Sequence, residues 1–277
     1  MIYTTSAQMG AGDIGRPFIT SPSSNKGSLP QSIARKLRSS WSVVPVPTSD
    51  HKNRICIICI SDTHNAKPSL PDGDILLHAG DLSQYGTFDE IQAQLDWLNA
   101  QPHKHKIIIA GNHDLTLDEA FVKAHPDREL DKPGKSRGDF RWGDITYLHN
   151  SSVEVKCAGR TLKIYGSPMT PKCGNFSFQY EVGQDVWKDT LVVFGHIHNG
   201  RGEEIVTFNR LQACFEHIVL GVQPWINLFK LILYSILEVL GQTASAENHI
   251  SSTHLVNAAM ITGRGNQDRK EAIIIYF

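Results

Sequence analysis

The sequence carries almost no net charge and has no long stripe of basic residues. It has 27 lysines and arginines against 28 acids, a formal net charge of −1. Binding along a phosphate backbone requires clustered basic side chains, so nothing in the composition indicates a nucleic-acid partner. The most apolar stretch, 218–240, is interrupted by Pro224, Lys230 and Glu238, which argues against a simple transmembrane span. We expect an amphipathic helix packed on the domain there, with contact to a membrane surface as the alternative.

Cysteine is also scarce. The chain has five cysteines, an odd number, and we expect no secretory leader before them. This usage predicts reduced thiols and a cytoplasmic location. Cys56 and Cys59 have the C-x-x-C spacing of a redox or zinc motif, but they lie in an apolar run and no second C-x-x-C could complete a zinc site. We therefore expect buried structural thiols.

The chain divides into two regions of different composition. Residues 1–50 are rich in Ser, Thr, Pro and Gly without apolar periodicity, which predicts a mostly disordered leader, and 51–277 is the predicted domain. Within it, apolar runs at 55–60, 74–79 and 106–110 predict buried strands. The segment before the third run has the capping pattern and periodicity of a helix. This alternation predicts β-α-β units and a largely parallel sheet.

Side chains of the kind that bind metals follow four of the predicted strands. Ligand sites in open α/β sheets gather at the carboxyl ends of strands. On an extended backbone, residues two apart point to one face, as in the pairs Asp62/His64 and His196/His198. One such residue alone would be an ordinary turn or surface group, but four strand ends predict a metal site. The residues concerned are Asp62, His64, Asp81, Asn112, His113, Asp114, His196 and His198.

These four segments resemble four of the five motifs of the calcineurin-like metallophosphoesterases, in the same order. The resemblance runs from about Ile55 to the C-terminus. It implies an α/β fold of two mixed β-sheets packed face to face and flanked by helices. Three further segments resemble a branch of metallophosphoesterase-domain proteins active on 2′,3′-cyclic nucleotides: Gly166-Ser167-Pro168, Gly200-Arg201-Gly202 and Val256-Asn257-Ala258-Ala259.

The resemblance also implies roles for single residues. His113 would face the substrate phosphate, and Asp114 would fix its orientation. Separately from the resemblance, Arg201 follows the histidine pair and is a candidate phosphate contact, with an ordinary surface arginine as the alternative. Two divalent ions of the Mn, Fe, Zn, Co or Ni type would be bound by six ligands. Asp62, His64 and His198 would hold the first ion, Asp81 would bridge both, and Asn112 and His196 would belong to the second.

The function expected from this site is hydrolysis of phosphate mono- or diesters, cyclic nucleotides among them. Two cations neutralise the phosphate and lower the pKa of a bridging water, which then attacks phosphorus as hydroxide. A protonated His113 could stabilise the leaving oxygen. The expected partner is a small phosphoester or nucleotide, and the sequence does not indicate an oligomeric state.

One element of the family pattern is absent. The family has a further strand that ends in a Gly-His or Thr-His step, whose histidine completes the second metal site. Here no histidine lies between Pro168 and His196. We therefore expect a weaker second site and a sheet that lacks one strand. His149 or His217 is the alternative ligand, an aberrant splice form is another explanation, and a catalytically degenerate metal- or nucleotide-binding protein is the alternative function.

Overall fold

The fold was determined as a computed structural model, which describes most of the chain. The described residues are 2–5, 28–38, 54–126, 128, 135–171, 175–180, 192–195, 201–207, 210–219, 221–239, 252–262 and 268–276. The chain forms two compact units. The first comprises 1–15, 48–203 and 256–277, and the second comprises 16–47 and 204–255.

Strands and helices alternate in the first half of the chain, and strands dominate the second half of the first unit. The strands are β1 (Ile2–Thr5), β2 (Cys56–Ile60), β3 (Ile75–Ala79), β4 (His105–Ile109), β5 (Ile145–Tyr147), β6 (Ser151–Cys157), β7 (Arg160–Gly166), β8 (Thr170–Pro171), β9 (Gln179–Tyr180), β10 (Val192–Phe194), β11 (Gly202–Thr207), β12 (Ser252–Asn257), β13 (Ile261–Thr262), β14 (Asp268–Arg269) and β15 (Ile273–Tyr276). The helices are α1 (Leu29–Arg38), α2 (Phe88–Asn99), α3 (Glu119–Ala124), α4 (Arg210–Val219) and α5 (Pro224–Val239).

A five-stranded sheet carries the candidate site. Its order is β15-β2-β3-β4-β5, with β2 to β5 parallel and β15 antiparallel to β2. The continuous apolar runs predicted as strands form β2, β3 and β4, as expected for strands covered on both faces. Because these strands are parallel, the loops that follow them meet at one edge of the sheet.

A second sheet packs against this one. In the first unit its strands lie in the order β10-β1-β7-β6, and the neighbouring pairs among these four are antiparallel. Buried side chains from both sheets form a common core, for example Ile57 and Leu77 on one side and Leu162 and Ile164 on the other. The predicted face-to-face sandwich is confirmed.

The outer face of the five-stranded sheet is covered by α2. Thr87 accepts a hydrogen bond from the backbone N–H of Glu90, and the Glu90 carboxylate accepts one from the backbone N–H of Thr87, the predicted capping box. Ile91, Leu95 and Leu98 bury one face of the helix against the sheet. The predicted parallel sheet with a crossover helix is therefore present.

Two segments of the predicted leader are ordered, which the sequence analysis did not foresee. Residues 2–5 form β1, which lies between β7 and β10, and residues 29–38 form helix α1. In α1, Ile33, Ala34 and Leu37 follow helical spacing and pack in the core of the second unit. The helical spacing of these few apolar residues was not recognised, because the residues around them are polar. The boundary at residue 50 stays a prediction.

The second unit contains the three helices α1, α4 and α5. Leu211, Phe215 and Ile218 of α4 meet Leu228 and Leu231 of α5 in its core. A helix over the apolar stretch 218–240 was predicted, and α5 fills most of it. Among the described residues, no helix is both long and apolar enough to cross a membrane.

Candidate metal centre

Three metal-type side chains converge at the carboxyl edge of the five-stranded sheet. Asp62 and His64 follow β2, and Asp81 follows β3. One potential ligand atom from each residue lies within 4.8 Å of the others. Asp62 is 0% exposed and Asp81 is 3% exposed. Two carboxylates and an imidazole in such a group form a donor set suited to a divalent transition metal.

The backbone at Asp62, His64 and Asp81 is not extended, although the two-residue spacing of Asp62 and His64 was interpreted as that of an extended strand. The φ angles of Asp62, His64 and Asp81 are 54°, 42° and 53°, in the left-handed region that L residues rarely adopt. Hydrogen bonds between the two loops hold this conformation, with Asp62 N donating to Gly80 O at 3.0 Å and His64 N to Asp81 O at 3.1 Å. Strained backbone held in this way is typical of functional sites.

The two carboxylates destabilise each other in the absence of a cation. Burial raises the pKa of Asp81 well above its ordinary value, and the neighbouring carboxylates of Asp62 and Asp114 raise it further. Ser61 Oγ donates to Asp62 Oδ2 at 2.5 Å, and the backbone N–H of His113 donates to Asp81 Oδ1 at 2.9 Å. A buried pair of like charges is costly unless a cation neutralises it, so the electrostatics fit a metal ligand set.

His64 is oriented by the loop after β3. Its Nδ1 lies 3.2 Å from the carbonyl oxygen of Ser83. The tautomer that donates from Nδ1 has its lone pair on Nε2, which is the arrangement common in metal-binding histidines. The imidazole ring of His113 stands edge-on to that of His64, with ring centroids 4.8 Å apart.

Two glycines allow neighbouring loops to approach the carboxylates closely. A Cβ at Gly111 would lie 2.2 Å from both the backbone nitrogen and Oδ1 of Asp81. A Cβ at Gly195 would lie 1.7 Å from Ser61 Oγ and 2.1 Å from Asp62 Oδ2. The end of β10 therefore reaches Asp62. The predicted ligands that follow it, His196 and His198, lie outside the described residues.

Asn112 and His113 follow β4, at the same edge of the sheet. Asn112 is 4% exposed, and its carbonyl accepts hydrogen bonds from Ser177 N at 3.2 Å and Ser177 Oγ at 3.0 Å. The Nδ1 atom of His113 lies 2.9 Å from the Gln84 carbonyl oxygen. The ring of Phe176 lies beside that of His113, with centroids 4.8 Å apart.

The role predicted for Asp114 differs from what the structure shows. Its carboxylate does not orient the His113 ring, whose Nδ1 is next to the Gln84 carbonyl. Asp114 instead accepts hydrogen bonds from Gly111 N at 2.8 Å, Leu82 N at 3.2 Å, Ser83 N at 2.9 Å and Ser83 Oγ at 2.7 Å. Burial raises its pKa, while these donors lower it. Asp114 thus joins the loops that follow β3 and β4.

The other candidate residues are not members of the described cluster. Arg201 donates from Nη2 to the Glu271 carbonyl at 2.5 Å, and its role at a phosphate stays a prediction. His149 follows β5 and packs edge-on against Phe178, and in the described part of the chain it is not a member of the cluster. His217 lies in α4 of the second unit. Cys59 is buried as expected, and Cys56 is partly buried.

Sequence reasoning missed the residues that support the ligands. Ser61 and Ser83 donate to Asp62 and Asp114. The segment 256–260, noted only for its resemblance, lies beside the end of β2: Ala259 pairs with Ser61, and Met260 N donates to Ser61 O at 2.9 Å. The signal available was position, because Ser61 and Ser83 each stand within two residues of a predicted ligand.

Comparison with known proteins shows which family the chain is similar to. The family model for calcineurin-like phosphoesterases matches residues 55–221, more than half of the chain. Metallophosphoesterase domain-containing protein 1 of Homo sapiens is 34% identical over 138 residues, which are 46% of this chain and 41% of that protein. A UPF0046 protein of Caenorhabditis elegans is 34% identical over 140 residues, 49% of this chain and 48% of that protein.

A longer relative matches more of the chain. A protein of Emericella nidulans named probable rhamnogalacturonate lyase C is 37% identical over 265 residues, 80% of this chain and 24% of that protein. The chain thus spans between about a quarter and a half of the length of these relatives. The family match begins at the strand before Asp62 and includes every residue of the buried cluster, and on this ground the chain belongs to the calcineurin-like phosphoesterase family.

Proposed function

We propose that the chain is a metal-dependent hydrolase of small phosphate mono- or diesters, cyclic nucleotides among them. The observation that carries the proposal is the buried group of Asp62, His64 and Asp81, whose carboxylates lie too close together to ionise at low cost without a cation. The family match supports the same chemistry.

The cluster residues would hold a divalent ion of the Mn, Fe, Zn, Co or Ni type, and Asn112 with His196 and His198 would complete a two-metal centre. Bound cations supply positive charge that neutralises a phosphate diester and lowers the pKa of water. We propose that the second ion is held more weakly than the first, because the sequence offers no histidine between Pro168 and His196.

His113 is the group proposed to act on the leaving oxygen. Donation from Nδ1 to the Gln84 carbonyl fixes the ring and directs Nε2 away from that loop. Phe176 lies against the same ring and limits its rotation. A protonated Nε2 held in this way can donate a hydrogen bond or a proton to an oxygen that gains charge.

The proposal is tested with purified protein that has been stripped of metal and refilled with Mn²⁺. The substrates are bis(p-nitrophenyl) phosphate, p-nitrophenyl phosphate and 2′,3′-cyclic AMP. The variant Asp81→Asn should lose turnover at least about 100-fold, since it removes a charge from the ligand set. The matched control Asp144→Asn alters an exposed carboxylate and should retain turnover.

Metal binding is measured separately by calorimetric titration with Mn²⁺. Tight binding with no turnover on any of the three substrates would favour the second candidate, a catalytically degenerate metal-binding protein, for which the missing histidine is the specific observation. If folded protein shows no Mn²⁺ binding and no turnover, both candidate functions are contradicted. The lyase named for the longer relative is not proposed, because the match covers only 24% of that protein.

A further inference from the structure

Helix α5 exposes an apolar face to solvent. Six large side chains on it are at least 40% exposed, with Phe229 at 68% and Trp225 at 60%. We call these six residues the α5 face: Trp225, Ile226, Phe229, Ile232, Leu233 and Ile236.

The α5 face is the side of the helix opposite to the one that packs. Its residues recur at intervals of three and four, so they form one stripe along the helix. The buried positions of α5 include Asn227, Leu228 and Leu231, and the two leucines belong to the core of the second unit. The α5 face therefore takes no part in the core of the second unit. Contiguous exposed apolar patches of this kind mark interaction sites.

The charge of the second unit distinguishes between a lipid surface and a second copy of the chain. This unit, 16–47 and 204–255, contains seven basic residues and four acids, a formal net charge of +3. Arg35 and Lys36 of α1 are exposed, and α1 packs against both α4 and α5. Lys230 is exposed on α5 itself. Two such units would repel each other, whereas an anionic lipid surface would attract them.

The composition of the α5 face also favours a lipid surface over a second copy of the chain. Protein interfaces carry about one hydrogen bond per 100–200 Å², and these six side chains offer one polar atom, the indole N–H of Trp225. Tryptophan is suited to the interface between headgroups and acyl chains. The helix has 16 residues and is about 24 Å long, too short to cross a bilayer, so it would lie in the plane of the surface.

We propose that the second unit binds anionic membrane surfaces, with the α5 face inserted at the boundary between headgroups and acyl chains and the exposed basic residues Arg35, Lys36 and Lys230 on the headgroups. An apolar insertion and a basic segment together give the two signals that stable attachment of a peripheral protein requires. The proposal is independent of the proposed phosphoesterase function.

The test is cosedimentation of the full chain with vesicles of phosphatidylcholine alone and of phosphatidylcholine with phosphatidylserine. We expect binding to the anionic vesicles that is at least about tenfold stronger than to the neutral ones, and that weakens several-fold between about 0.1 M and 0.5 M NaCl. The variant Phe229→Ser should weaken the binding at least about tenfold. The matched control Tyr276→Ser replaces an aromatic residue of similar exposure, 55%, in β15 and should bind as the parent does.

Circular dichroism and thermal melting establish that both variants are folded, and light scattering gives the mass of each in solution. Equal binding of Phe229→Ser and the parent would overturn the proposal, as would equal binding to neutral and anionic vesicles. A dimer that dissociates in Phe229→Ser, without vesicle binding by the parent, would also overturn it and would assign the α5 face to a second copy. Should Phe229→Ser be unfolded, Ile236→Ser at the other end of the face gives the same comparison.

Discussion

Asp114 shows how much of the site depends on one residue that does not contact the metal group. Its two carboxylate oxygens accept four hydrogen bonds, of which the three from Leu82 and Ser83 join the loop after β3 to the loop after β4. These loops contain Asp81, Asn112 and His113. The geometry of three predicted site residues therefore depends on a buried carboxylate whose charge is stabilised in part by donors of the backbone and of Ser83.

Replacing Asp114 by Asn should destabilise the protein by about 2–3 kcal/mol, because the amide nitrogen cannot accept hydrogen bonds from the N–H groups that the carboxylate oxygen accepts. Urea unfolding of Asp114→Asn beside the parent measures this. Asp144→Asn, at an exposed site, is the control and should change stability by less than about 0.5 kcal/mol. An unchanged unfolding midpoint in Asp114→Asn would contradict the anchoring role.

A methyl group at Gly195 should separate the end of β10 from Asp62. Its Cβ would lie 2.1 Å from Asp62 Oδ2, so the strand or the carboxylate must move. We expect Gly195→Ala to cost about 1–3 kcal/mol, as overpacking does, and to weaken Mn²⁺ binding at least about tenfold. Gly138→Ala, whose Cβ would have only Ser136 Oγ nearby at 3.7 Å, is the matched control. Calorimetric titration gives both affinities, and equal affinity would refute this prediction.

At this scale the sequence predicted the ligands but not how they are held. Asp62, His64 and Asp81 were recognised because metal-type side chains follow strand ends. Their left-handed backbone was not predicted, because it results from hydrogen bonds between two loops that are distant in sequence. The contacts of Asp114 were missed for the same reason.

At the scale of an element, β3 carries a histidine inside the sheet. The His78 ring is fully buried, and its Nε2 lies 3.0 Å from Thr63 Oγ1. Burial lowers the pKa of His78 to about 3, although the nearby Asp62 carboxylate raises it slightly. The neutral ring connects β3 to the loop that holds the ligands.

This burial predicts loss of stability in mild acid. The folded state keeps His78 neutral down to about pH 3, whereas the unfolded chain protonates it near pH 6.5. The contribution of neutral His78 to the free energy of unfolding is thus present above pH 6.5 and is lost as the pH falls below that value. The free energy of unfolding should fall by about 2 kcal/mol from pH 7 to pH 5. Urea unfolding in EDTA at the two pH values measures the change.

The variant His78→Gln isolates this contribution, because it removes the titrating group and leaves the other carboxylates and histidines in place. The fall in unfolding free energy between pH 7 and pH 5 should be smaller in His78→Gln than in the parent by about 2 kcal/mol. If both proteins lose the same amount, the acid sensitivity lies in other residues.

A strand or helix could be predicted where the sequence pattern that indicates it lies within the element itself. Strands β2, β3 and β4 and the capping box of α2 follow from runs and caps that can be recognised within a few residues. Strand β1 was not predicted, because its partners are β7 and β10 and nothing in four residues indicates them. Helix α1 had its own apolar spacing, which the surrounding polar residues obscured.

At the scale of the whole molecule, β1 fills the place between β7 and β10. From the sequence we expected the sheet to lack a strand between the segments that end at Gly166 and Gly195. Tyr3 pairs with Tyr165, and Ile2 pairs with both Gly166 and Val193. A strand from the start of the chain thus lies where apolar surface was expected to be uncovered.

An interior strand cannot accommodate proline, so Tyr3→Pro should destabilise the protein by about 3 kcal/mol or more, through the lost N–H and the fixed φ. Tyr3→Val keeps a strand-forming residue and is the control. Thermal melting of the two variants and the parent measures the effect. Equal melting temperatures for Tyr3→Pro and Tyr3→Val would show that β1 is dispensable.

The position of β1 has a consequence for how the chain is made. Its residues leave the ribosome before their partners in β7 and β10, from which about 160 to 190 residues separate them. At usual rates of synthesis that is a wait of roughly ten to forty seconds. During this time β1 has no partner strand on either of its edges. The nascent protein would then become resistant to proteases when the last segment of the sheet that contains β1 leaves the ribosome, and not when the parallel sheet collapses.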